Sequence, residues 1–138
     1  MKVSKKDLMR TKDLPIYSAT LKLVKALDDV MVAMQKDHKH TFGQDLVNKS
    51  LHMLIMIGKI NRAVSNLKER EDLLMEFMDE YDIVESILKV CVEKKYISEK
   101  LYIETTPVMV SIIRQINGWL KKTQADLHLH ESQSPSQS

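Results

Sequence analysis

The chain has 138 residues, a net charge of +2, and only 3 Gly and 3 Pro. So few turn-forming residues exclude a β-sandwich or β-barrel, which needs them at each of many turns, and this length is typical of one domain. The first fourteen residues carry charges throughout, unlike a secretory signal, and no apolar run approaches the roughly 18 residues of a membrane span. We therefore expect a cytoplasmic protein.

Two helices are predicted in the first half of the chain. Pro15 suits the first turn of a helix, where no backbone N–H is required, and this helix is expected to run to about Asp37. Its apolar face comprises Ile16, Thr20, Leu23, Val24, Leu27, Val30, Met31 and Met34. Thr41 and Gln44 match a capping box and predict the start of the second helix. The apolar stripe of that helix comprises Leu46, Ser50, Met53, Ile57, Ile60, Val64 and Leu67.

Two further helices follow an interruption of the pattern at Asn66 and Lys68. The third has an acidic start, which suits the positive end of a helix dipole, and its stripe comprises Leu74, Phe77, Tyr81, Val84, Leu88 and Cys91. Ser98 is predicted to cap the fourth. The stripe of the fourth helix comprises Leu101, Thr105, Val108 or Met109, Ile112, Ile116, and Trp119 or Leu120. Pro107 removes a hydrogen bond inside it, so we expect a kink or a restart there.

These elements predict an all-α fold, an antiparallel up-down-up-down four-helix bundle over residues 15–122, because short connections favour antiparallel neighbours. Residues 1–14 are expected to form a basic, loosely held N-terminal arm. Residues 123–138 end in the polar run ESQSPSQS and have too little apolar content to pack. We expect this tail to be disordered.

Few residues are candidates for catalysis or metal binding. His38 with His40, and His128 with His130, form two His-x-His pairs, but alternating histidines share one face only in extended backbone. Cys91 lies in an apolar pattern and is interpreted as a small buried side chain. The sequence therefore predicts no metal site, no cofactor and no enzyme activity.

Two other polar groups have structural interpretations. His52 flanks the apolar row of helix two and is interpreted as an interior or interface histidine. The acidic group on helix three is interpreted as a solvated face, because the chain lacks the Glu-x-x-His motif of di-metal bundles. This group comprises Asp79, Glu80, Asp82 and Glu85.

Charge is divided unevenly along the chain. The net charge is +6 over residues 1–62, −6 over 63–85, +4 over 86–122 and −2 beyond. A globally basic surface for binding polyanions is excluded, whereas a local basic face fits the pattern. The candidate binding residues for nucleic acid or a protein partner are Lys22, Lys25, Lys59, Arg62, Lys89, Arg114, Lys121 and Lys122. For any one neighbouring pair, an ordinary solvated surface is the simpler interpretation.

Helix two is apolar around more of its circumference than a single bundle requires. Leu51, Leu54, Ile55 and Met56 add to its main stripe. A surplus of this kind predicts a subunit interface.

Four stretches of the sequence are similar to one family. They are the run IIRQINGWLK at 112–121, Phe42-Gly43 followed by Leu46, Asn61, and Leu88-Lys89-Val90-Cys91 leading into Tyr96-Ile97-Ser98 and Tyr102. In this order and spacing, residues 14–122 resemble the four-helix-bundle family that includes two groups of proteins. One is the accessory variability determinant (Avd) of diversity-generating retroelements, and the other is encoded in bacterial large-subunit rRNA intervening sequences.

The resemblance implies a homopentameric barrel of four-helix bundles without catalytic activity. In the retroelement members this barrel binds the reverse transcriptase and nucleic acid through positive charge, and it supports mutagenic cDNA synthesis from a template-repeat RNA. Arg114 matches the arginine five residues before the motif tryptophan, and Lys89 stands where many members carry arginine. Asn117 stands where a Gly is common, and the start of helix three is acidic, so both branches of the family stay open.

The expected function is that of a non-enzymatic, homopentameric accessory protein that binds a reverse transcriptase and RNA or DNA, with no membrane and no small-molecule substrate. One alternative is an rRNA intervening-sequence-type protein that binds another nucleic acid. The other is a purely structural oligomer that binds only protein.

Overall fold

The structure, a computed structural model, describes residues 10–133. Its four long helices are α1 (Pro15–Ala33), α2 (Gln44–Arg62), α3 (Leu67–Glu93) and α4 (Glu99–Gln133). Each helix packs on the next and α4 packs on α1, so the four surround one core. The described part of the chain contains no strand, which confirms the all-α prediction.

Contacts at both ends of α1 and α2 show that these helices run in opposite directions. Near the end of α1, Met31 lies against Gly43, which directly precedes α2. Ahead of α1, the hydroxyl of Thr11 accepts a hydrogen bond from the amide of Asn61, at 3.2 Å, near the end of α2. The two later connections span only a few residues, so α3 and α4 each return along the preceding helix.

Most residues that the apolar spacing predicts lie in the core. The stripe predicted for helix two extends too far, because Val64 lies in the connection after α2 and Leu67 begins α3, and both are half-buried. The six stripe residues of α3 are all buried, and Leu74, Phe77 and Val84 are fully enclosed. The buried threonine hydroxyls each donate a hydrogen bond to the backbone carbonyl four residues earlier in the same helix, so they need no partner from another helix. These bonds are Thr20 to Ile16 (2.8 Å), Thr105 to Leu101 (2.9 Å) and Thr123 to Trp119 (2.8 Å).

The first helix ends earlier than predicted. It stops at Ala33 instead of continuing to about Asp37, because Met34 and Gln35 adopt extended backbone. A helical turn, Lys36–His38, and a π-helical segment, Lys39–Gly43, then lead directly into α2.

The capping box predicted at Thr41 and Gln44 is wrong. Both residues already lie in helical backbone, so no free N–H group needs a cap there. The Thr41 hydroxyl instead donates to the carbonyl of His38 at 3.2 Å, and the Gln44 amide donates to the side chain of Asn48 at 3.1 Å.

The caps of α3 and α4 are conventional. The Ser98 hydroxyl accepts from the backbone N–H of Leu101 at 3.1 Å, which confirms the predicted cap of α4. The Asn66 side chain accepts from the backbone N–H of Glu69 at 3.0 Å and caps α3.

The last helix is longer than predicted, and the restart that Pro107 offered as one alternative does not occur. It passes through Pro107 without a restart, because Pro107 is exposed and water can replace the hydrogen bond that it removes. It also continues to Gln133, so the expected disorder is wrong for residues 123–133. Thr123 is only 2% exposed, and burying it extends the packed part of the helix. The remainder of the predicted tail, 134–138, lies outside the described residues.

The end of the predicted N-terminal arm is also held in place. Thr11–Asp13 form a 3-10 turn, and Leu14 is half-buried against the core. The hydrogen bond from Asn61 to Thr11 ties this turn to α2. Residues 1–9 of the predicted arm lie outside the described residues.

Candidate functional site

The eight predicted basic residues are all exposed on the bundle surface. They occur on every helix: Lys22 and Lys25 on α1, Lys59 and Arg62 on α2, Lys89 on α3, and Arg114, Lys121 and Lys122 on α4. Within residues 10–133, carboxylates lie within 4.0 Å of side-chain nitrogens of Lys49, His52 and Lys68 and of none of the eight. Their charges are therefore not neutralised by a direct ion pair in this part of the chain.

The pair on α2 lies beside the acidic start of α3. Lys59 and Arg62 line a hollow of about 380 Å³ together with Ala63, Glu69 and Leu73. The carboxylate of Glu69 reduces the positive potential of this pair.

Lys22 lies at a groove between α1 and α4. A hollow of about 370 Å³ is lined by Lys22 and Ser18 from α1 and by Ser111 and Gln115 from α4. A second hollow of about 280 Å³ continues past Gln115 to Trp119. This groove therefore combines a cation with neutral polar side chains.

The structure does not bring Lys89 and Arg114 together. The Tyr81 hydroxyl donates to the carbonyl of Met109 at 3.0 Å, so these two residues lie at the same height along the bundle axis. Lys89 lies eight residues from Tyr81 toward one end of the bundle, and Arg114 lies five residues from Met109 toward the other. At a rise of 1.5 Å per residue they are about 20 Å apart along the axis.

The extra apolar residues of α2 separate into two groups. Met56 is only 1% exposed and belongs to the core, and Leu54 is half-buried. Leu51 and Ile55 are 42% and 61% exposed, on the side of α2 turned away from the core. The apolar surplus on the surface is therefore real but smaller than the sequence predicted.

The acidic group of α3 is not entirely a solvated face. Asp79, Asp82 and Glu85 are exposed as predicted, whereas Glu80 is half-buried. Glu80 faces α2, with its carboxylate 3.6 Å from His52 Nδ1 and 4.0 Å from Lys49 Nζ. His52 thus lies at an interface, as predicted, but this interface is between two helices of the same chain.

The histidine pairs and the cysteine are not assembled with other ligands. The His38 ring stacks on Tyr96, with centroids 3.6 Å apart, and both His128 and His130 lie in helical backbone, where such neighbours face different sides. Over residues 10–133, no three His, Cys, Asp or Glu side chains are grouped to hold a metal ion. Burial raises the pKa of the Cys91 thiol to about 11, so it is protonated at neutral pH.

A further hollow was not predicted from the sequence. It has a volume of about 910 Å³ and lies at the end of the bundle where α3 turns into α4. Lys94, Lys95, Glu93 and Glu99 line it, so its charges are mixed. The unusual backbone of Lys95, with φ of 62°, forms this turn, and no sequence signal such as a glycine marks it.

Residues on which the family resemblance rests meet at opposite ends of the bundle. Phe42 packs near Tyr96, with ring centroids 5.6 Å apart. At the other end, Arg70 donates to the carbonyl of Asn61 and lies over the ring of Trp119. These separated motifs therefore have packing roles.

No family model, curated protein or solved structure matches the chain. No helix within residues 10–133 is both long enough and apolar enough to cross a membrane.

Proposed function

We propose that the protein is a non-enzymatic accessory factor of a diversity-generating retroelement. It acts in the cytoplasm, where it binds the reverse transcriptase and RNA or DNA through basic surface residues and supports mutagenic cDNA synthesis. The observation that supports this best is the exposure of all eight basic residues on a four-helix bundle, with no direct ion pair to other described residues. Residues 14–122 resemble the family that includes Avd, and the exposed cations favour its retroelement branch, whose members bind through positive charge.

The proposed functional unit is a homopentamer, as the resemblance implies. The exposed Leu51 and Ile55 on α2 favour self-association, because removing apolar side chains from contact with water lowers the free energy. Five copies repeat each cation around the assembly, and clustered cations bind phosphates with a strong dependence on salt. Phosphate contacts position a nucleic acid without reading its bases, so we expect little sequence specificity.

The proposal requires a reverse-transcriptase gene and a template repeat beside this gene, and it is tested by co-purification of the protein with that reverse transcriptase and template-repeat RNA. The wild-type protein is expected to retain both. A Lys89→Glu/Arg114→Glu variant is expected to lose binding with unchanged helical circular dichroism, because both side chains are exposed. A Lys36→Glu/Lys94→Glu variant changes two other exposed lysines by the same charge and serves as the control.

Two results contradict the retroelement assignment. Retention of RNA without any reverse transcriptase indicates an rRNA intervening-sequence-type protein. Retention of neither, by a folded wild-type oligomer, indicates a purely structural protein. Equal binding by the Lys89→Glu/Arg114→Glu variant and the control removes these two residues from the contact surface.

A further inference from the structure

Two segments that pack side by side in the bundle contain no acidic residue. They are residues 14–27, which lead into and form most of α1, and residues 105–125 of α4. Their cations are Lys22, Lys25, Arg114, Lys121 and Lys122. The two segments therefore carry a net +5, and because the whole chain carries +2, the rest of the chain is net negative.

The packing of α1 on α4 joins these segments into one face. Residues of both helices line the two adjacent hollows between them, from the level of Lys22 to that of Trp119. Ser18, Ser111 and Gln115 line the same groove and can donate hydrogen bonds to phosphate oxygens. The lining of the groove is thus basic and polar. The carboxylate of Glu71 on α3 reaches this part of α4 only at its far end, where it accepts a hydrogen bond from Gln124.

Lys22 lines the groove, and the other four cations lie at exposed positions along the two helices that form it. The helices are antiparallel and share the first hollow, so Lys22 lies near the level of Pro107. Arg114 follows seven residues later on α4 and Lys121 another seven, which at 1.5 Å per residue gives intervals of about 10 Å. With Lys25 and Lys122 at its ends the row is about 25 Å long, the rise of roughly seven nucleotides at 3.4 Å each.

Gly118 lies on the same stretch of α4, between Arg114 and Lys121. It is exposed, and a β-carbon built on it meets nothing within 4 Å, so packing within the bundle does not require a glycine there. Glycine weakens a helix interior. A glycine at this point allows a ligand to approach the helix backbone closely, which a larger side chain would prevent.

We propose that the groove between α1 and α4 binds the phosphodiester backbone of RNA or DNA. This inference rests on the proposed function and makes it more specific, because it assigns nucleic acid to one face of the bundle. Lys59, Arg62 and Lys89, on α2 and α3, lie outside this contact.

The test compares two full-length variants that lose the same charge. The face variant is Lys22→Gln/Lys25→Gln/Arg114→Gln/Lys122→Gln, and the control variant is Lys36→Gln/Lys94→Gln/Lys95→Gln/Lys100→Gln, four lysines outside the candidate binding residues; all eight side chains are exposed. Binding to labelled single-stranded RNA and DNA of one sequence is measured by fluorescence anisotropy at several salt concentrations. Circular dichroism and light scattering check that fold and mass are unchanged.

Counterion release gives the expected result. Five phosphate contacts per chain predict a slope of log K against log salt of about −3.5 for a single strand, and the one contact left in the face variant predicts about −0.7. The face variant is also expected to bind at least about tenfold more weakly at low salt. The control variant is expected to keep the wild-type slope.

A change that keeps every charge tests the groove separately. Gly118→Leu is expected to weaken binding severalfold, because its side chain fills the approach to the α4 backbone, whereas Ser86→Leu, at an exposed position of α3, is expected to have no effect.

The outcomes separate the inference from the proposed function. If the wild-type protein binds nucleic acid and the face and control variants have equal slopes of log K against log salt, the groove is not the binding site, and the proposed function is unaffected. A folded wild-type protein that binds neither RNA nor DNA overturns both. Preference for one of the two probes identifies the natural ligand within the proposed class.

Discussion

Arg70 connects three helices through one side chain. Its Nε and Nη2 atoms donate to the carbonyl oxygens of Ile60 and Asn61, each at 3.0 Å, and its guanidinium carbon lies 5.3 Å from the centroid of the Trp119 ring. Two carbonyls at the end of α2 thereby gain partners. Burial lowers the pKa of Arg70, but an arginine remains charged. A lysine has a single ammonium group and lacks the planar fork that makes these contacts together.

Tyr81 makes the stability of the bundle sensitive to high pH. Burial, together with the charges of Glu85 and Asp82, raises the pKa of Tyr81 to about 12 from its ordinary value of 10.0. Above pH 10 the unfolded chain releases this proton while the folded chain keeps it, so the free energy of unfolding falls as the pH rises from 10 toward 12. Below pH 10 this contribution is fully present.

A Tyr81→Phe variant isolates this effect. At neutral pH it is expected to be about 1 kcal/mol less stable than the wild type, because the hydrogen bond to Met109 is lost. The difference is expected to shrink above pH 10, since only the wild type loses stability through Tyr81. Urea unfolding between pH 8 and about 11.5 measures it. A difference that stays constant over this range contradicts the assignment.

At the scale of the elements, the junction between α1 and α2 depends on one close contact. A β-carbon on Gly43 would lie 2.7 Å from Met31 Cγ and 3.2 Å from both Met31 Cβ and Met34 Sδ. The π-helical segment Lys39–Gly43 thus brings its last residue against the end of α1 at a distance that only glycine permits.

Two alanine substitutions are expected to have opposite effects on stability. Gly43→Ala is expected to lower the free energy of unfolding by about 1–2 kcal/mol, because the added methyl group overpacks the contact with Met31 and Met34. Gly118→Ala is expected to raise it by up to about 1 kcal/mol, because its site is open and alanine favours a helix. Urea unfolding of both variants measures whether the free energy of unfolding falls or rises in each. Stabilisation by both changes would show that the methionines move aside without cost.

The sequence predicted the buried faces of the helices but not where the helices end. Apolar spacing sufficed for α3, since a period near 3.6 residues determines which side chains share a face. The end of α1 depends on the Gly43 contact, and the length of α4 depends on the burial of the polar Thr123. Both depend on contacts with other parts of the chain, which the spacing of residues within one helix does not show.

The same distinction applies to the candidate site. Positive charge and exposure were predictable residue by residue. That Lys22 and Arg114 lie on neighbouring helices depends on α1 packing against α4, which no spacing within one helix shows.

At the scale of the whole molecule, charge is segregated around the bundle. The acidic start of α3 includes Glu71 and Asp72, which lie 2.9 and 3.3 Å from Lys68 Nζ. Because the helices pack in the order of the chain and close between α4 and α1, α3 lies diagonally opposite α1. The acidic start of α3 is therefore kept away from α1, although the chain carries a net charge of only +2, and such an uneven field orients a polyanion as it approaches.

Assembly can be tested with two isoleucines that are equally exposed. Ile55 on α2 is 61% exposed and Ile103 on α4 is 64% exposed, but only Ile55 has a second large, exposed aliphatic side chain, Leu51, one turn away on the same helix. Light scattering is expected to give the wild type a mass near five times the 16.0 kDa of the chain. Ile55→Lys is expected to yield single chains, whereas Ile103→Lys is expected to leave the mass unchanged.

The physical reason is the location of the buried surface. Covering an isoleucine contributes about 1.5–3 kcal/mol, and a lysine at the same place in an interface must be desolvated without a partner. Repeated in every subunit contact, this change is large enough to dissociate the assembly. A wild-type mass of one chain, or dissociation by Ile103→Lys instead of Ile55→Lys, contradicts an interface on α2, and each variant's circular dichroism shows whether the single chains remain folded.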